Sequence, residues 1–137
     1  MEKRNNIIII STAVILIILI IFLTAPLDKQ TIPTRFIGGE QMGFDLSPGN
    51  LNFGQIVPGY SASRELTITN TFSSPTLTTI ESLREISDYI IVSENNFILQ
   101  PNESKNITFS CFATEDIELR EYAGEIIIIT KRANLFF

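Results

Sequence analysis

Residues 51–70 read LNFGQIVPGYSASRELTITN, and this stretch decides the fold. From Arg64 to Asn70, Leu66 and Ile68 fall on one face and Glu65, Thr67 and Thr69 on the other. That period of two predicts a half-buried strand. Upstream, Gly54 and Gly59 suit positive φ or a bulge at strand ends, with Phe53 and Ile56 as apolar anchors around the bend. Asn70 is placed to close the strand by bonding its own backbone, as asparagine does in Asx-turns.

Working outward, the same pattern returns. Ser104 to Ala113 alternates, with Ile107, Phe109 and Cys111 facing one way and Thr108, Ser110 and Phe112 the other. Tyr89–Ser93 and Glu125–Thr130 are continuous apolar runs of strand length, suited to central strands covered on both faces. Thr79–Ser87 reads as an irregular strand, although Ile80, Leu83 and Ile86 also stand at helical spacing. Turn signals separate the runs at Ser47-Pro48-Gly49-Asn50, Val57-Pro58-Gly59, Ser73-Ser74-Pro75, Asn95-Asn96 and Gln100-Pro101-Asn102. Seven or eight short strands at this spacing predict an all-β fold, an immunoglobulin-like antiparallel β-sandwich over 42–132. Roughly 90 residues suffice for one modest core.

The chain before the sandwich is different in kind. Residues 7–23 read IIIISTAVILIILIIFL, an uncharged run that with Thr24 and Ala25 approaches the roughly 20 residues needed to cross a hydrocarbon core. The expected transmembrane helix is 7–25. Lys3 and Arg4 precede it, and the next basic residue, Lys29, is offset by Asp28. The positive-inside bias therefore places residues 1–6 in the cytoplasm and the rest outside. A cleaved secretory signal shares the basic start and apolar stretch, but a cut after Ala25 would put Leu23 three positions back and Pro26 next, a poor cleavage site. With Pro26, Pro33, Gly38 and Gly39 and no sustained period, 26–41 reads as a linker. The apolar tail 133–137 is expected to pack back on the domain or to insert into a neighbour.

The block Leu51-Asn52-Phe53-Gly54-Gln55-Ile56-Val57-Pro58-Gly59, followed by Leu66-Thr67-Ile68-Thr69-Asn70, resembles the LxFGxVxxG…LTLxN pattern of ASH/MSP-like immunoglobulin-type domains. Phe97 to Ser104, Ile107-Thr108-Phe109 and Tyr122-Ala123-Gly124-Glu125-Ile126 are similar to that family's closing strands. Cys111 and Ala113 stand where the family has Phe and Pro, and Asn102 replaces its Gly. The resemblance spans Phe44 to Thr130 and implies a sandwich whose motif residues build the fold rather than perform chemistry.

The composition narrows function further. With no histidine and no tryptophan, general base work would fall to carboxylates, lysine or tyrosine. The densest acidic group, Glu115, Asp116, Glu118 and Glu121, is the weak candidate for a hard-cation site, because Ca²⁺ takes several carboxylate oxygens. A solvated charged loop is the bland reading of the same residues. Cys111, the lone cysteine, reads as a small buried hydrophobe. Asn102-Glu103-Ser104 and Asn106-Ile107-Thr108 are glycosylation sequons if the domain is extracytoplasmic. From Leu27 onward eight basic residues face fourteen acidic ones, a net of −6 that argues against nucleic acid as a partner. The expectation is a non-enzymatic, cofactor-free cell-surface protein, spanning the membrane once and binding an envelope protein or its own copies. The alternatives are a stator-like accessory subunit of an archaeal surface filament, by architecture alone, or a small tethered Ca²⁺-binding or hydrolytic domain using the acidic loop.

Overall fold

The computed structural model describes residues 2–43 and 50–133, with side chains from Asn5 onward. The first element is a helix, α1 (Glu2–Thr24), of which Asn5–Thr24 is long and apolar enough to cross a membrane. No proline or glycine interrupts it. Its few hydroxyls are satisfied internally: Ser11 Oγ and Thr12 Oγ1 both donate to Ile8 O, and Thr24 Oγ1 donates to Ile20 O. In hydrocarbon such back-bonding removes the cost of an unmet polar group. Only Ala25, Pro26 and Leu27 separate the helix from the first strand.

Among the described residues eight strands form two sheets. In order they are β1 (Asp28–Gly38), β2 (Leu51–Ile56), β3 (Ser61–Thr69), β4 (Thr76–Arg84), β5 (Ile90–Val92), β6 (Phe97–Leu99), β7 (Ser104–Phe112) and β8 (Glu121–Arg132). A five-stranded sheet runs β2-β1-β8-β4-β6 and a three-stranded sheet runs β3-β7-β5. All pairings are antiparallel except β1 with β2. Between the sheets lies one core, including Phe36, Phe53, Ile56, Ile86, Leu99, Ile107, Phe109 and Ile126. At one end Phe36 stacks on Tyr122 at 4.9 Å, and Tyr89 meets both rings edge-on at 5.4 and 5.2 Å.

Three sequence expectations need correction. The stretch 26–41 is no linker: β1 occupies most of it and pairs with β8 from Asp28↔Thr130 to Ile37↔Glu121. Its inward positions are Ile32, Thr34, Phe36 and Gly38, so only two large apolar residues mark the buried face. Pro33 survives because β2 pairs β1 only from Thr34 to Gly38, leaving the first half of β1 an edge. Tyr89–Ser93 is not central either. Its strand, β5, is a three-residue edge on which Ile91 is 66% exposed. Third, Thr79–Ser87 combines both readings, since β4 ends at Arg84 and a 3₁₀ turn, Glu85–Asp88, buries Ile86. The central position expected for Glu125–Thr130 is occupied by β8, which is flanked by β1 and β4. Of the tail 133–137, Ala133 is buried and its N–H donates to Pro75 O; residues 134–137 lie outside the described part.

Candidate interaction site

The residues of the opening block organise the turn from the large sheet to the small one. Gly54 and Gly59 stand at φ +75° and +82°, a region open to glycine without steric cost. Phe53 and Ile56 are fully buried between the sheets. At the far end of β3, Asn70 spends its whole side chain on backbone. Its Oδ1 accepts from Phe72 N, closing an Asx-turn, while Nδ2 donates to Ser74 O at 2.9 Å and to Leu99 O at 3.0 Å. The last bond ties β3 to β6 of the other sheet.

The outer face of the three-stranded sheet carries small polar side chains in cross-strand pairs. Ser63 Oγ meets Ser110 Oγ, Thr67 Oγ1 donates to Asn106 Oδ1, and Thr69 Oγ1 meets Ser104 Oγ, each at 2.8 Å. Beside this ladder lie two exposed apolar residues, Ile91 and Phe112. Register and exposure of β3 follow one rule. Ala113 N donates to Tyr60 O and Asn70 N to Glu103 O, so even-numbered residues of β3 form the hydrogen-bonded pairs with β7. The odd ones, Ser61 through Thr69, turn their backbone groups away from β7, where the sheet has no further strand among the described residues.

The other candidate residues are dispersed. Among the described residues no group of three or more His, Cys, Asp or Glu side chains could hold a metal ion. Within the acidic stretch, Glu118 pairs with Arg120 at 3.2 Å and Glu121 with Arg35 at 3.9 Å, while Glu115 and Asp116 are exposed. Arg120 also bridges to Glu85 and lies 4.0 Å from the Tyr122 ring; the Glu85 hydrogen bond is the main cause that raises its already high pKa. The loop is thus a charged clamp on the Phe36–Tyr122 end. Cys111 is fully buried, and burial pushes its thiol up to about 12. Of the two sequon asparagines, Asn102 sits exposed in the turn at φ +64°, and Asn106 is exposed on β7 with its Oδ1 engaged by Thr67. The open β3 edge escaped sequence reasoning. Its only trace there was the alternation of Ser and Thr with apolar residues, which says which face is out and not which edge is free.

A single apolar helix leading into a two-sheet β-sandwich defines the class of protein. The model of the ASH family (Abnormal spindle-like microcephaly-assoc'd, ASPM-SPD-2-Hydin) matches residues 44–123, more than half of the chain, and the chain belongs to that family. The family points to a protein-interaction domain. No curated protein and no solved structure matches the chain. The matched stretch runs from the approach to β2 into the first residues of β8, so β1 and most of β8 lie outside it.

Proposed function

We propose that this protein is a membrane-anchored, non-enzymatic interaction module of the cell envelope. In this reading α1 is retained as a single-pass anchor with residues 1–6 cytoplasmic, and the ASH sandwich stands outside to bind an envelope or appendage protein. The observation that carries it is the join between helix and sandwich. Leu27 N donates to Thr130 O at 2.7 Å, and Arg132 reaches back to the helix end, its Nη1 3.5 Å from Phe22 O. The helix therefore continues into β1, which is paired with β8 of the large sheet, a mount that holds the domain close to the bilayer. Lys3 and Arg4 at the other end of the helix favour the stated orientation. The exposed sequon at Asn102 is available for glycosylation on that side.

The test is site-specific photo-crosslinking of the full chain in native membranes, with the probe at Ser63 and protease added to intact cells as a topology check. The expected result is a discrete adduct with an envelope protein and a sandwich that the protease can reach. A sandwich protected in intact cells, or a cleaved and released domain, contradicts the reading.

A further inference from the structure

We propose that the free edge of β3 docks an extended, neutral-to-basic segment of a partner protein, which joins the three-stranded sheet as a fourth strand. This rests on the reading of the domain as an interaction module. The two sheets present four edges, and among the described residues β3 is the longest left open. Beyond β6 the bare part of β4 has Ile80 N and O met by Asn95, and only Ser104–Ile107 of β7 runs past β5. β5 and β6 are three residues each. β2 is capped, because Gly43 and Gln55 exchange N–H···O bonds of 3.0 and 2.9 Å. The unpaired first half of β1 is blunted: Pro33 has no N–H, and Lys29 N donates to Asp28 Oδ1. β3 runs nine residues, with neither proline nor lysine on it.

The edge borders a lateral opening between the sheets. Two hollows line up along β3. One of about 220 Å³ is walled by Ile32, Leu51, Arg64 and Leu66. The other, of about 260 Å³, is walled by Leu66, Ile68, Leu99 and Ile128, with Thr76 and Thr78 among its polar lining. Thr76 is 0% exposed, and its Oγ1 has no hydrogen-bond partner. A buried hydroxyl left unmet costs about 1–3 kcal/mol, so this hollow asks for a polar atom as well as apolar bulk.

A peptide strand supplies both requirements. Its backbone meets the outward N–H and C=O groups of Glu65, Thr67 and Thr69, which recur every second residue, about 7 Å apart. Side chains at alternate positions enter the hollows at that same spacing, an apolar one beside Leu66 and a Thr or Ser toward Thr76. A small molecule would leave the row of backbone groups unpaired. Charge selects further: Asp28 and Glu65 flank the opening, Arg64 is engaged with Asn52 O and Ser63 O, and the chain beyond Leu27 is net acidic.

The experiment uses the full chain in lipid nanodiscs and a synthetic peptide of alternating Val/Ile and Thr with lysine ends, matched to the nine residues of β3. Titration followed by amide exchange should show binding with new protection at Glu65, Thr67 and Thr69. Thr67→Pro removes one outward N–H without touching the backbone bonds to β7, losing only the hydroxyl bond to Asn106 that Thr67→Val also loses, and should weaken binding at least about tenfold. Thr67→Val keeps that N–H and should bind like the parent. Unchanged β8 exchange in Thr67→Pro establishes that the variant is folded. No binding at millimolar peptide, binding indifferent to Thr67→Pro, or β3-dependent pairing of two full chains would overturn the proposal. If the Ser63 adduct in native membranes persists in Thr67→Pro, the interaction module stands and this docking edge falls.

Discussion

The two sheets of this sandwich divide the work. The five-stranded sheet is built on long central strands: β8 has a neighbour on each side, and β1 pairs with it over ten residue positions. Its edges are short or capped. The three-stranded sheet has one long strand in its middle, β7, and leaves β3 open along one side, with hydroxyl pairs beside the exposed Ile91 and Phe112 on its outer face. The large sheet, continuous with α1, is the frame, and the small sheet is what the frame presents. Stability should therefore depend on the first far more than on the second.

The largest effect comes from removing β1. A chain begun at Met42, the boundary that sequence patterns favour, leaves one side of β8 bare and should fail to fold, read as loss of the cooperative thermal transition. Next, Phe36→Ala in β1 empties the centre of the three-ring cluster and should cost about 3–5 kcal/mol in denaturant unfolding. Asn70→Ala breaks the tie between the sheets. It removes three side-chain bonds to backbone, at Phe72, Ser74 and Leu99, and should cost about 2–3 kcal/mol.

Cys111 lies under the small sheet and tests how well that sheet is closed. At pH 8 an alkylating reagent should modify it only at the rate of global opening. Because its folded pKa of about 12 exceeds the ordinary 9.0, the unfolded state holds fewer protons between those values, and stability should fall as pH rises from 9 toward 12. Smallest of all, Ser63→Ala on the outer face removes one exposed hydroxyl pair and should change stability by less than about 1 kcal/mol. A larger loss there would give the small sheet a structural share that the comparison denies it.

How far these features could be read from sequence depends on how many apolar residues advertise them. β8, with its run Ile126 to Ile129, and β7, with Ile107, Phe109 and Cys111 on one face, were legible because burial repeats in phase. β1 was hidden: Ile32 and Phe36 are separated by Thr34, and Pro33 imitates a linker residue while sitting at an unpaired edge. β5 misled in the opposite direction, since Ile90, Ile91 and Val92 look buried on both faces although Ile91 points to solvent. The acidic residues 115–121 were visible as a cluster, but only the fold shows them disperse to Arg120 and Arg35. The open edge of β3 could not be read at all, because an edge is defined by what does not pair with it.

Native-state amide exchange on the full chain in lipid nanodiscs tests the division most directly. The account predicts slow exchange throughout β8 and an alternation along β3, with Arg64, Leu66 and Ile68 protected and Glu65, Thr67 and Thr69 fast. Uniform protection along β3 would mean that its edge is already covered and would contradict the assignment of the small sheet as the presenting surface.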